Sequence, residues 1–316
     1  MPTAIPIAHV LMNRGAGASD KAALTREIAT AFTAHGWQVE FILVGRRSVH
    51  RRIRQTVAQA PGAIVVAGGD GTINTVASVC VEASRPLGIV PAGTFNYIAR
   101  NLGVPTEVAQ AVSVIVTGQL RPVDIGEING RIFLNNAGVG LYAQMIEQRE
   151  RDKRRFGRHR IMAFLSGLRF LVRPSPLYAV ELVADGRLEH RVTTTLFFGC
   201  NAQQLEDFNV AAAKCLRHQQ LAVLSFTLRS RWEIALAACA ALRGRLDTVT
   251  TLDTFCARTV RVQTQHRRVK VAIDGEIARL RPPLAVQFRA GGLQVFAPAV
   301  GHCQLNHKIE PNWHNP

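Results

Sequence analysis

The sequence predicts an α/β fold, with an N-terminal three-layer α/β domain followed by a β-rich domain of sandwich type. Three observations predict it. Short apolar runs alternate with amphipathic stretches through the first third, which is the rhythm of βαβ units around a mostly parallel sheet. Two of those runs end in glycine-bearing turns that lead straight into helical spacing. Beyond about Asp124 the texture changes to a series of short strand-like segments. The length of 316 residues exceeds the size at which one core usually stops growing, so two domains are expected.

In the first third, strands are expected over 7–11, 39–44, 63–67 and 87–90. Helices are expected over 20–35, 49–60 and 72–83, where apolar residues recur at helical spacing. In the second part, strands are expected over 131–135, 177–184, 192–199, 221–228, 259–264, 269–273 and 284–289. Long helical patterns over 141–172 and 231–242 interrupt them. The resulting division is 1–123, 124–300 and a polar, aperiodic tail from 301 to 316.

A hydrophobic content of 47% is ample for packed cores, and the formal net charge of +16 implies attraction to something anionic. A phosphate-rich small molecule, an acidic membrane surface and nucleic acid all satisfy that charge. No basic stripe interleaved with aromatics accompanies it, so no nucleic-acid partner is expected. The six cysteines show no C-x-x-C pair and read as reduced core thiols; no zinc site is expected. Residues 1–12 lack a basic leader before an apolar stretch, and the apolar helical stretch 234–242 is too short to span a bilayer. A cytoplasmic protein with at most peripheral membrane contact is expected.

The run Ile64-Val65-Val66-Ala67 ends in Gly68-Gly69-Asp70-Gly71-Thr72 and a helix. This places bare backbone N–H groups and a helix N-terminus at a sheet edge, where phosphate oxygens are well received. Asp70 suits Mg²⁺ or water better than phosphate, since two anions repel. An ordinary turn with Asp70 as helix cap is the other reading. A second loop of similar build, Pro91-Ala92-Gly93-Thr94-Phe95-Asn96, follows the next strand, and adjacent strand-to-helix turns converge on one ligand in a parallel sheet. Thr94 and Asn96 serve either a nucleotide or the helix start. A weaker third candidate is the first turn, Asn13-Arg14-Gly15-Ala16-Gly17. Near the other end, Asp274-Gly275-Glu276 presents two carboxylates on a turn, as a base acting on an acceptor hydroxyl requires; a solvated hairpin is the alternative.

These motifs together resemble the diacylglycerol kinase and sphingosine kinase superfamily, in particular its bacterial lipid kinases. The residues that carry the resemblance are Gly68 through Asn74, Pro91 through Asn96 with Ala99-Arg100-Asn101-Leu102-Gly103, Val123-Asp124-Ile125-Gly126 with Phe133-Leu134-Asn135-Asn136, and Asp274-Gly275-Glu276. The resemblance implies a nucleotide domain like those of NAD kinases and phosphofructokinases, a C-terminal β-sandwich and an active site between them. It implies ATP as phosphoryl donor, Mg²⁺ held through Asp70, a lipid acceptor, and Glu276 as the base. Asn13, Gly15, Gly17, Gly68, Gly69, Gly71, Thr72, Asn74, Gly93, Thr94 and Asn96 would line the nucleotide. Arg14 replaces the family's usual proline, Thr75 and Tyr97 stand where Glu and Asp are common, and the counterpart of an acidic magnesium-binding stretch, residues 217–222, contains no carboxylate.

The densest basic run, 151–160, leads into Ile161-Met162-Ala163-Phe164-Leu165, a pattern suited to lying on anionic lipid or to packing as a solvated helix. The reading is therefore an ATP- and Mg²⁺-dependent kinase acting on diacylglycerol or a related lipid. An NAD kinase-like enzyme and a non-catalytic lipid or nucleotide sensor are the alternatives. A homodimer is left open.

Overall fold

The computed structural model describes residues 5–13, 21–44, 49–94, 96–156, 178–207, 212 and 214–299. Four parallel strands open the chain, β1 (Ile7–Asn13), β2 (Gln38–Val44), β3 (Ala63–Gly68) and β4 (Leu87–Pro91), side by side in the order β2-β1-β3-β4. Every residue of β3 and β4 is buried, so both faces of the sheet are covered. The cover comes from α1 (Lys21–Ala34) with α5 (Val108–Thr117), and from α2 (Val49–Gln59) with α3 (Asp70–Glu82). The short helix α4 (Tyr97–Leu102) starts after the loop that follows β4 and stops at Gly103, whose left-handed φ of 69° closes it. The α/β fold expected from the sequence is thus present, with α3 beginning at Asp70 rather than at Thr72.

The long strand β16 (Leu284–Ala297) does what the sequence pattern did not announce. Its second half returns to the first sheet, with Val295 beside Leu87 of β4 in parallel. Along its length it pairs antiparallel with β5 (Gln119–Ile128), which in turn pairs with β6 (Arg131–Phe133). Its first half pairs with β13 (Thr259–Thr264), and the sheet continues through β8 (Tyr178–Ala184) to the edge strand β9 (Arg187–Thr193). The register shifts between Arg289 and Leu293, around Gly291 at a φ of 59°, and this irregularity lets one strand serve two packing environments.

A second sheet is antiparallel throughout, in the order β12 (Leu252–Ala257), β11 (Leu221–Phe226), β10 (Thr195–Gly199), β7 (Asn136–Gly140), β14 (Val269–Ile273), β15 (Glu276–Leu280). Its inner side chains, such as Phe198, Val223 and Val271, meet Leu182, Val260 and Val286 of the first sheet in one buried cluster. This is the sandwich expected from the alternating runs. The pattern over 192–199 is two strands, because Thr193 and Thr194 turn inward and bond the Phe226 carbonyl. The helical pattern from 141 is present as α6 (Leu141–Phe156); 157–177 lie outside the described residues, as do the tail 301–316 and Gly15 and Gly17. Three further helices are α7 (Ala202–Asp207), α8 (Lys214–Arg217) and α9 (Arg231–Leu242).

One sequence expectation is overturned: Cys215 and Cys256 form a disulfide, with Cα atoms 5.2 Å apart. Their separation of 41 residues carries no motif, and the proximity arises only because α8 packs on β11 and β12. Cys80 and Cys200 are buried free thiols as expected, whereas Cys239 is exposed. The bridge pins the entry to β11, the stretch 217–222 for which the resemblance suggests a metal and the sequence supplies no carboxylate. Loop-closure entropy for a 41-residue loop predicts that Cys215→Ser lowers stability by about 4 kcal/mol, read as a lower urea midpoint than the oxidised parent. An unchanged midpoint, with reductant also without effect, would contradict this.

Candidate active site

The parallel sheet ends in two loops that touch backbone to backbone. Gly69 is the N-cap of α3 in extended conformation, and its carbonyl accepts from the Thr72 and Ile73 amides. The Ala92 amide donates to the Gly68 carbonyl at 2.9 Å, which carries the β3–β4 pairing into the loops. A Cβ on Gly93 would stand 2.6 Å from the Gly69 Cα, and one on Gly68 would stand 2.9 Å from the Thr72 Cβ. Only glycine fits at these two positions without displacing a neighbour. The amides of Asp70 and Gly71, in the first turn of α3, have no i−4 carbonyl and are oriented with the helix dipole for an anion.

Asp70 joins the loops. Its Oδ1 accepts from the Ile98 amide at 3.2 Å, so it caps the start of α4 rather than its own helix and leaves its second oxygen for a cation. Asn96 works within its loop: in left-handed conformation at a φ of 50°, it accepts from the Gly93 amide at 2.9 Å and donates to the Gly93 carbonyl at 3.1 Å. Thr94 is exposed at the loop tip and Thr72 is half-buried. Asn74, one turn further along α3, holds a buried Oδ1 with no hydrogen-bond partner. Thr75 bonds back to the Gly71 carbonyl at 2.8 Å, a use internal to the helix. Asn13 ends β1 opposite Val44, at the same end of the sheet.

From the other half of the molecule comes the β14–β15 hairpin. Asp274 and Gly275 both have positive φ, 45° and 84°, the two-residue turn that Asp-Gly favours. Asp274 is not solvated. Its carboxylate accepts from three consecutive amides, Leu134 at 2.7 Å, Asn135 at 2.9 Å and Asn136 at 2.8 Å, and its own amide donates to the Asn136 carbonyl. The hairpin is thereby fastened to the start of β7, and two residues on it delivers Glu276 to the glycine loop. A Cβ on Gly71 would lie 3.9 Å from Glu276 Oε1. Of the sequence-predicted residues, Gly68, Gly69, Asp70, Gly71, Gly93 and Glu276 are brought together.

Sequence reasoning missed the polar network behind them. The Asn136 amide group donates to Gln204 and accepts from the Tyr142 hydroxyl, both at 2.8 Å. Asn201 donates to Asn135 at 2.8 Å and to the Tyr97 carbonyl at 3.4 Å, and Arg100 pairs with Asp207 at 3.1 Å. These contacts tie α4, beside Asp70, to β7 and α7. The signal available was the pair Asn135-Asn136, two amides beginning an otherwise apolar strand.

Glu276 is exposed as a residue, and partial desolvation of its carboxyl raises it above its ordinary value, with the charge of Glu150 adding to the rise and those of His50 and Arg131 opposing it. Asp274 is raised from 3.8 to about 6, chiefly by desolvation, against the pull of its three amides; Asp70 adds to the rise. The folded state therefore binds a proton at Asp274 that the unfolded chain does not hold between about pH 4 and 6. Its linkage contribution to stability is complete below 3.8 and is lost as pH rises through about 6. Asp274→Asn removes that dependence, so the difference between urea midpoints at pH 4.5 and 7.5 should change relative to the parent; identical pH profiles would contradict it.

Among the described residues no three His, Cys, Asp or Glu side chains converge as a metal cage. Magnesium on a nucleotide needs only one or two carboxylates besides phosphate and water, and Asp70 at the mouth of the glycine cradle fits that demand.

The profile of the diacylglycerol kinase catalytic domain matches residues 7–128, the parallel sheet, both glycine loops and β5. A Synechocystis protein is 29% identical over 272 residues, 80% of this chain and 59% of its own length. A diacylglycerol kinase of Bacillus subtilis is 38% identical over 131 residues, 40% of this chain and 42% of its own length. The chain thus spans about half the length of these curated relatives. Among solved structures, one from Bacillus anthracis str. Sterne superposes with a TM-score of 0.71 at 22% identity, covering 93% of this chain and 98% of that one. A diacylglycerol kinase from the same organism gives a TM-score of 0.66 at 18% identity over the same shares. At such identities the likeness is one of fold, including both sheets. Residues 7–128 are thus similar in sequence to the diacylglycerol kinase catalytic domain, a stretch of 131 residues is similar to the curated diacylglycerol kinase of Bacillus subtilis, and the likeness of fold extends over nearly the whole chain.

Proposed function

We propose that the protein is an ATP-dependent lipid kinase that transfers the γ-phosphoryl group to a hydroxyl of diacylglycerol or a related lipid. The observation that carries this reading is the approach of Glu276 Oε1 to the Gly71 position, a carboxylate facing a phosphate cradle across the molecule. Residues 1–123 would hold the nucleotide on the amides of Gly69 to Thr72 and on the Gly93 loop. Residues 124–300 would hold the lipid. Glu276 accepts the hydroxyl proton as that oxygen bonds to the γ-phosphorus; the bond from phosphorus to the β–γ bridging oxygen breaks and ADP leaves. Asp70 would hold magnesium directly or through water, and the ion when bound neutralises charge on the β- and γ-phosphates. A base raised by partial desolvation loses its competence when protonated, so kcat/KM should fall toward acid with an inflection above the ordinary carboxylate range.

The test is incubation with γ-labelled ATP and, separately, a panel of lipids, NAD and no acceptor. Label in extractable lipid supports the reading; label only in NAD, or nucleotide binding without any transfer, overturns it. Peripheral membrane contact through the basic run 151–160 belongs to the same proposal. Of that run, Arg151 pairs with Glu147 at 2.9 Å on α6, and 157–160 lie outside the described residues. No helix among the described residues is long and apolar enough to cross a membrane. Salt-sensitive liposome binding that disappears on neutralising Arg154, Arg155 and Arg158 supports the contact, and unchanged binding removes it.

A further inference from the structure

We infer that the solvent face of α9 is a docking face for an anionic lipid bilayer, seated by Trp232 and Leu236. The helix is set firmly on the protein by its other side: Ile234 and Ala237 are buried against Leu141 and Val249. Its start is fixed by a capping box, in which the Ser230 hydroxyl accepts from the Glu233 amide at 3.1 Å and the Glu233 carboxylate accepts from the Arg229 amide at 2.7 Å. What α9 turns outward is unlike a solvated helix face. Trp232 is 80% exposed and Leu236 68% exposed, one turn apart, and Cys239 continues the stripe. From Ile234 to Ala241 the helix contains no charged side chain. A helix apolar all round is normally covered on every side.

Charge selects the occupant. Arg229 stands exposed before the helix, and Arg243 and Arg245 after it; the nearby acids among the described residues are Glu233, engaged in the cap, Asp247, and Asp207, whose backbone lies against Gly244 and whose carboxylate pairs with Arg100. An apolar stripe with tryptophan at its head and arginines at both ends matches an interface where acyl chains lie beneath anionic headgroups. A second copy of the chain is a poor match, since it would bring the same arginines and the same net charge of +16. The position suits a lipid-handling protein: Leu141, under α9, directly precedes Tyr142, whose hydroxyl bonds Asn136 in the network behind the candidate site. That convenience rests on the lipid kinase reading; the docking itself does not.

The experiment is sedimentation of the full chain with vesicles of phosphatidylcholine alone and with a third of phosphatidylglycerol, without nucleotide. Trp232→Ala with Leu236→Ser should weaken binding to the anionic vesicles more than tenfold while thermal unfolding stays unchanged, as expected for exposed positions. In a second arm, brominated lipids should quench the parent's tryptophan emission and quench Trp232→Phe much less. Binding within twofold of the parent, or equal quenching of both proteins, overturns the inference. So does a variant that changes only the oligomeric state, which would make the face a contact between copies. Glu276→Gln should bind vesicles as the parent does while losing transfer; a parent protein that docks through α9 but phosphorylates no lipid defeats the kinase reading and leaves the docking face standing.

Discussion

Glu276→Gln should lower phosphoryl transfer to lipid by about 10²–10⁴-fold while leaving ATP affinity within a few-fold of the parent. The substitution keeps shape and hydrogen-bonding capacity but removes the acceptor for the hydroxyl proton. The hairpin beneath it is held by Asp274, whose carboxylate takes three backbone amides, so the Gln side chain would be presented at the same place beside Gly71. The expected signature is therefore a fall in kcat with little change in the KM for ATP. A variant that keeps more than a tenth of the parent's kcat would show that another group takes the proton.

Gly93→Ala should be nearly as damaging, by a different route. The added methyl would stand 2.6 Å from the Gly69 Cα and 2.8 Å from the Asn96 Oδ1 that bonds its own amide. Neither neighbour can yield cheaply: Gly69 caps α3, and Asn96 sits in a left-handed conformation that begins α4. The two loops must separate, and displacement of a phosphate cradle by about 1 Å costs on the order of 10²-fold in kcat/KM. Overpacking of this kind lowers stability by about 1–3 kcal/mol as well. Binding of a fluorescent nucleotide measures the first effect and a urea titration the second. Parent-like affinity would mean that the loops are not the nucleotide's support.

What was legible in the sequence is local. Continuous apolar runs at 63–67 and 87–90 become strands buried on both faces, and the glycines after them mark places where backbone meets backbone. The Asp-Gly dipeptide at 274 announces its turn. What was illegible depends on pairing between distant segments. β9, β12 and β15 carry mixed residues because one side of each faces outward, so their strand character comes from their partners. β16 reads as a strand ending at 289, yet after an irregularity it runs to Ala297 and joins the parallel sheet. Nothing local distinguishes a fastened Asp274 from a solvated one, because its three donors lie about 140 residues away. The Cys215–Cys256 bridge was hidden for the same reason, since only the packing of α8 on β11 and β12 brings the two together.

The central claim is that one triphosphate lies on the glycine loops with its terminal phosphorus facing Glu276. Crystals grown with a non-hydrolysable ATP analogue and magnesium test it most directly. A hydroxyl within reach of both base and phosphorus requires the γ-phosphorus to lie within about 6 Å of the Glu276 carboxylate, with Asp70 on the metal or its water. A triphosphate bound elsewhere, or a γ-phosphate that Glu276 does not face, would contradict the account.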